Sequence, residues 1–335
     1  MANRSFKKIK VNNLELGMYV HIPIPWYDHP FLTNQFAIKS QEDLASIKEL
    51  GLQEVEYDPA QSTRITAPSQ PPAPSTTGGE ESDPAFVWQR KIVSELASTV
   101  RDQRIPPVEK ARIVKQHSFT MMQNLLEYPT EKNIGEAKKG ISSVVNLILN
   151  DNDTLRYLLD ITSHDYYTYT HSVEVGILGV ALAKSVFQDS RFHDIHALGA
   201  GFFLHDLGKT QIDQAIINKP GKLTGEEMTE MRRHSVLGYQ MLLDANQLTE
   251  ESKTILLHHH ERMDGSGYPK GLNRDQIPLY GRICTIADIY DALITNRSYR
   301  RSMKPFEALK LMQKEMSGRF QQKLFKEFVF LLLNL

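Results

Sequence analysis

Residues 258–269 read His258-His259-His260-Glu261-Arg262-Met263-Asp264-Gly265-Ser266-Gly267-Tyr268-Pro269. Three consecutive histidines set at least two imidazoles side by side, and imidazole is the commonest transition-metal side chain in proteins. A polar Asp264-Gly265-Ser266-Gly267 turn follows at once, then Tyr268 and a rigid stop at Pro269. The layout suits a site with metal on one side and a shaped substrate loop on the other. The same letters also fit a histidine-rich surface turn without chemistry, so the rest of the chain has to decide.

Working outward, composition narrows the classes. The chain has 335 residues, enough for two domains that each bury a core. Hydrophobic residues make 41% and charged residues 24%, an ordinary globular balance. The net charge of -1 gives no global basic field for a nucleic-acid polymer or a membrane surface, so an anionic ligand has to be held by local cations. The single cysteine, Cys284, rules out an internal disulfide and thiolate metal sites, and it fits a reducing compartment. The N-terminus is charged, and the apolar runs Val175–Ala183 and Phe328–Leu333 are far too short to span a bilayer. A soluble cytoplasmic protein is expected.

Toward the N-terminus, residues 1–58 read as a small β-rich domain. Extended runs lie around Ile9 and Val11, at Gly17-Met18-Tyr19-Val20, at Phe36-Ala37-Ile38 and at Glu54-Val55-Glu56-Tyr57. A short helix carrying Leu44, Ile47 and Leu50 is capped by Ser40 with Asp43 and closed by Gly51. Trp26, Tyr27 and Phe31 read as core or interface. Residues 59–84 hold six prolines, many Ser and Thr and no aromatic residue, the composition of a disordered linker. Residues 85–150 return to helical periodicity, with stripes Ile92-Leu96-Val100, Ile113-Phe119-Met122-Leu126 and Ile134-Ile141-Val145-Ile148. They read most simply as core in connecting helices, and as a homodimer surface in the sharper alternative.

Residues 151–335 are almost wholly helical and carry every candidate ligand. A helix from about Tyr166 to Phe187 carries His171, and an apolar helix ends in Leu204-His205-Asp206-Leu207-Gly208-Lys209. Thr224-Gly225-Glu226-Glu227 is a capping-box pattern that predicts a helix running past His234. Thr249 caps a helix that delivers His258, His259 and His260, and a helix over Tyr280–Ile294 carries Asp288. Singly these are weak signals, and a lone His171 is usually a core histidine. His205-Asp206 differs, because an apolar helix end buries both groups and buried charge needs a partner or a metal. Adjacent His and Asp at a helix end can point apart and serve two ions. With nitrogen and oxygen donors and no thiolate, iron or manganese is favoured over structural zinc.

Together His205-Asp206-Leu207-Gly208-Lys209, Lys219-Pro220-Gly221-Lys222-Leu223-Thr224, His234, residues 258–269, Ala287-Asp288-Ile289-Tyr290-Asp291-Ala292-Leu293 and Asn296-Arg297-Ser298-Tyr299-Arg300 resemble the HD-GYP family, a branch of the HD-domain metal-dependent phosphohydrolases. Residues 7–58, through Gly17-Met18-Tyr19-Val20, Trp26 and Pro30-Phe31, resemble the domain of unknown function that often precedes it. The resemblance implies a mainly α protein, an all-helical HD-type metallophosphohydrolase domain preceded by a small β-rich (α+β) N-terminal domain with a regulatory role. It implies hydrolysis of cyclic di-GMP to linear pGpG, with GMP as a further product, by attack of a hydroxide bridging two divalent ions, Fe or Mn. The ligands implied are His171, His205, Asp206, His234, His259, His260 and Asp288, with Asp206 bridging and His258 left without a ligand role. His205, Asp206 and Lys209 become the catalytic residues. Lys209, Arg297 and Arg300 become phosphate contacts, and Gly267, Tyr268 and Pro269 the substrate loop. The glycines at 265 and 267 let backbone approach the ligand, and Tyr268 stacks on a guanine or touches a phosphate.

Some members of that family carry Glu one turn before the first ligand histidine, where it helps hold a third metal. Tyr167 stands there in this chain, so two ions are expected. The general acid for the leaving oxygen is open, with Glu261 and Asp264 candidates by proximity in sequence. Two other readings stay open: a non-catalytic module that binds cyclic di-GMP, and the same chemistry on another cyclic dinucleotide.

Overall fold

The computed structural model describes residues 6–23, 35–38, 41–59, 62, 83–160, 168–187, 192–219, 221–296 and 302–333. The chain forms two compact units, Met1–Gly78 and Gly79–Leu335.

Among the described residues, the first unit is a four-stranded antiparallel sheet with one α-helix. Strands β1 (Lys7–Lys10), β2 (Tyr19–His21), β3 (Gln35–Ala37) and β4 (Glu54–Asp58) take the order β1-β4-β2-β3. Ile9 stands opposite Val55, and Val20 opposite Tyr57 and Phe36. Helix α1 (Gln41–Glu49) lays Leu44 and Ile47 on a core of Val11, Leu14, Val20, Ile22, Ile38 and Val55. Val11 is not in a strand as expected. It begins a 3-10 turn, Val11–Asn13, that tucks its side chain into the core. Gly51 closes α1 at φ +68°, a left-handed conformation that glycine adopts without strain. Trp26, Tyr27, Phe31 and Ser40 lie outside the described residues, as does most of 59–84.

The second unit is helical: α2 (Pro84–Arg101), α3 (Pro107–Glu127), α4 (Glu131–Asn150), α5 (Asn152–Asp160), α6 (Thr168–Val186), α7 (Ile195–Leu204), α8 (Gln214–Ile217), α9 (Gly225–Arg232), α10 (His234–Asp244), α11 (Glu250–His258), α12 (Leu279–Ile294), α13 (Pro305–Glu315) and α14 (Gln322–Leu333). Helix α6 is buried on every side from Thr170 to Ala183, which explains why its sequence is apolar all round rather than striped. The ring of Phe203 on α7 lies against the bare backbone of Gly176, so α6 and α7 pack closely. The stripes of 85–150 face the same continuous core as α6, α7, α11 and α12, with Ile92, Leu96, Met122, Ile134, Ile141, Val145 and Ile148 all buried. This is the core reading of those stripes. The helices expected as connectors are therefore integral to the second unit. A buried ion pair adds to the junction: Lys115 Nζ on α3 lies 2.9 Å from Glu174 Oε1 on α6, one turn beyond His171.

Helix limits follow local chemistry. Asp194 caps α7, its carboxylate accepting from the Ala197 amide at 2.9 Å. Thr249 and Ser252 form a reciprocal cap at the start of α11. Thr224 and Glu227 form the expected capping box, but α9 does not run past His234. It stops at Arg232, and α10 starts afresh at His234, because the His234 ring Nδ1 takes the Met231 carbonyl at 2.7 Å. A side chain has claimed an acceptor that a continuous helix would give to a backbone amide. Among the described residues no helix is long and apolar enough to cross a membrane.

Candidate metal centre

Five elements converge on one buried cluster. Helix α6 supplies His171, the end of α7 supplies His205 and Asp206, and α10 begins with His234. The end of α11 supplies His259 and His260, and α12 supplies Asp288. Their donor atoms fall into two groups, Asp206-His234-His259-His260 and His171-His205-Asp288.

Both carboxylates reach across the groups. Asp206 Oδ2 lies 3.5 Å from His171 Nε2 and 3.4 Å from His205 Nε2. Its Oδ1 lies 3.4 Å from His234 Nε2 and 4.0 Å from His259 Nε2. Asp288 behaves likewise, with Oδ1 3.2 Å from His171 Nε2 and Oδ2 3.5 Å from His260 Nδ1. A carboxylate oriented with one oxygen toward each group can join two cations.

The imidazoles are oriented from behind. His205 Nδ1 donates to the Phe202 carbonyl at 2.8 Å, His234 Nδ1 to Met231, and His259 Nδ1 to the carbonyls of Ile255 and Leu256 at 3.1 and 3.0 Å. A carbonyl only accepts, so Nδ1 carries the proton and Nε2 presents a bare lone pair. His171 Nδ1 donates to Asp291 Oδ2 at 2.6 Å with the same result. His234 Nε2 and His259 Nε2 then face each other at 3.2 Å as two acceptors with no proton between them. His205 Nε2 and Asp206 Oδ1, both buried, make no hydrogen bond. Buried acceptors that outnumber the donors meeting them are what a divalent cation satisfies, so these residues fit a metal pair.

Charge states agree with ligation. Burial pushes the His259 imidazolium down to about 3, and burial also lowers His234, so both rings stay neutral. Burial alone would raise the Asp206 carboxyl, but the ammonium of Lys209 holds it well below the ordinary range. Lys209 Nζ donates to Asp206 Oδ2 at 2.5 Å. Asp288 is depressed as well, its burial outweighed by the imidazole of His171 beside it.

The remaining residues sort themselves. His258 turns its Nδ1 to the Thr254 carbonyl and joins neither group. Tyr268 packs on the ring of His260, with centroids 4.6 Å apart. Gly267 and Pro269 follow the same loop, but Gly267 is bare for an internal reason: a Cβ there would lie 2.5 Å from the His260 carbonyl oxygen and the Arg262 amide. Gly265 instead takes φ +79°, which glycine allows. Glu261 is no candidate acid. Its buried carboxylate accepts from the amides of Lys270 at 2.7 Å and Leu272 at 2.8 Å, pinning the loop. Asp264 accepts from the Ser266 amide and hydroxyl in the turn. Arg297, Arg300 and Tyr167 lie outside the described residues.

Sequence reasoning gave no role to Asp291, three residues after Asp288 on one face of α12. An acid spaced i,i+3 from a ligand acid was the available signal. Asp291→Asn is expected to weaken metal binding about 10- to 100-fold, because the amide no longer fixes the Nδ1–H of His171 as strongly. Metal titration of the stripped variant checks this, and a wild-type affinity would remove the role.

Comparison with known proteins places these observations. The HD domain family matches residues 172–324, and a domain of unknown function, DUF3391, matches residues 6–147. A cyclic di-GMP phosphodiesterase of Pseudomonas aeruginosa is 31% identical over 331 residues, covering 96% of this chain and 76% of that protein. A cyclic di-GMP phosphodiesterase response regulator of Xanthomonas campestris is 47% identical over 100 residues, 30% of this chain and 26% of that protein. The chain thus spans about three quarters of the first relative and about a quarter of the second. A solved HD-GYP-type protein from Bdellovibrio bacteriovorus shares the fold, with TM-score 0.62 and 17% identity over 98% of this chain and 100% of that one.

Proposed function

The chain belongs to the HD-GYP family of HD-domain proteins, and from that premise we propose that it is a cytoplasmic phosphodiesterase that hydrolyses cyclic di-GMP to pGpG with two divalent ions, iron or manganese. The observation that carries this reading is the convergence of bare Nε2 acceptors on the two oxygens of Asp206. Divalent ions held there would supply Lewis acidity to a phosphodiester and lower the pKa of the attacking water.

The chain's own part in the chemistry follows from the geometry. His205 and Asp206, adjacent at the end of α7, serve both donor groups, so one helix end sets their spacing. Lys209 stands one turn further on, with its ammonium on the Asp206 carboxylate and its side chain partly open to the surface. From there its positive charge offsets the negative charge that grows on the phosphoryl oxygens. Tyr268 packs on the ring of His260 at one side of the cluster. The all-nitrogen-and-oxygen donor set, with Cys284 buried in the core, is the basis for preferring iron or manganese.

The test is anaerobic purification, metal analysis and chromatography of the products from cyclic di-GMP. The expected result is one ion per donor group, two in all, with pGpG appearing before any GMP and activity lost to chelation. Metal-loaded protein that binds the dinucleotide and leaves it uncut would overturn the reading in favour of a receptor.

A further inference from the structure

Two adjacent arginines at the end of α9 behave differently. Arg233 is paired, its Nη1 donating to both oxygens of Glu230 at 2.8 and 2.9 Å. Arg232 is exposed and makes no ion pair among the described residues. Its guanidinium instead leans over the ring of Tyr268, 5.2 Å from the centroid, and that ring rests on the ligand His260. Arg232 is also tied by the backbone to the cluster, two residues before His234. Burial raises the Tyr268 phenol, while the charges of Lys209 and Arg232 act against it.

A cation held on an aromatic face beside the cluster keeps its planar fork of N–H donors available. The two donor groups and Lys209 account for one phosphodiester. A cyclic dinucleotide has a second phosphodiester in the same sugar–phosphate ring, an anion that must lie beside the cluster when the first is bound. We propose that Arg232, oriented by Tyr268, binds this second, non-scissile phosphate and so selects cyclic dinucleotides over simple phosphodiesters. This rests on the phosphodiesterase reading above. Arginine suits the task because its fork matches two phosphate oxygens at once.

The experiment compares Arg232→Ala and Arg232→Lys with wild type in the metal-loaded full chain, on cyclic di-GMP and on bis(p-nitrophenyl) phosphate, which has a single phosphate. Losing a charge-assisted contact should raise the KM for cyclic di-GMP about tenfold or more in Arg232→Ala with little change in kcat, and Arg232→Lys should recover part of it. The kcat/KM for the one-phosphate substrate should fall by much less. An unchanged KM, or equal losses on both substrates, would overturn the proposal, the latter assigning Arg232 to support of Tyr268. Inhibition by cyclic di-AMP separates phosphate from base. It should weaken as much as affinity for cyclic di-GMP does, and a loss confined to the guanine ligand would overturn a phosphate role. Wild-type protein that hydrolyses the one-phosphate substrate but not cyclic di-GMP would overturn the functional reading and this inference together.

Discussion

The Asp206→Asn variant is expected to lose cyclic di-GMP hydrolysis by on the order of 10³-fold or more while remaining folded. Asn keeps the shape of the side chain but replaces one anionic oxygen with an amide nitrogen that cannot ligate. Oδ2 faces His171 and His205, and Oδ1 faces His234 and His259, so either amide orientation deprives one donor group of its shared oxygen. Metal content should therefore fall below two ions per chain, and the deficit should persist at saturating substrate. Lys209 loses its carboxylate partner, but its side chain is 16% exposed, so water takes over part of that contact. Metal analysis and thermal melting of metal-free protein separate the effects: the melt should move little and the metal stoichiometry much. A variant that retains both ions and more than about a tenth of wild-type activity would show that Asp206 is not the shared ligand.

Gly208→Ala should be the most damaging single-methyl change near the site. A Cβ on Gly208 would lie 1.9 Å from the His234 carbonyl oxygen and 2.4 Å from the Gly238 amide nitrogen. Both neighbours are backbone, so no rotamer change relieves the overlap. The turn at Leu207–Gln211 has to part from α10 instead, and that shift moves His234 away from Asp206. A destabilisation of about 3 kcal/mol or more is expected, together with loss of metal. Gly238→Ala is the control on the facing surface. Its Cβ would stand 3.0 Å from the Gly208 amide and from a flexible Leu256 methyl, and it should cost roughly 1 kcal/mol. Equal denaturation midpoints for Gly208→Ala and wild type would sink the argument.

Much of the fold was legible because it depends on neighbours in sequence. The strands around Ile9, Tyr19, Phe36 and Val55, the closure of α1 at Gly51 and the caps at Thr224 and Thr249 all follow from spacing and backbone preference within a few residues. Where a side chain acted at the same short range the pattern could still mislead. The uninterrupted helical spacing after Thr224 gave no sign that the His234 ring would take the Met231 carbonyl and break the helix. Nor could the stripes of 85–150 show what they cover, since an apolar face looks the same whether it meets α6 or a second molecule.

The site divides in the same way. His171, His205, Asp206, His234, His259, His260 and Asp288 were nameable from residue chemistry and motif order, because a ligand atom is a property of the side chain itself. The environment of each was not. His171 meets Asp291 across 120 positions, and Thr285 holds the His259 carbonyl across 26. Only the folded chain decides that Nε2 rather than Nδ1 of His171, His205, His234 and His259 faces the cluster, or that each oxygen of Asp206 serves a different group. It also turns Glu261 into a loop anchor and, among the described residues, leaves Arg232 but not Arg233 without a carboxylate. The sequence by itself determined which groups are available to bind metal, since covalent structure carries donor type and charge. Tertiary structure alone decided their direction, protonation and spacing, because those depend on desolvation and on partners brought together from distant parts of the chain.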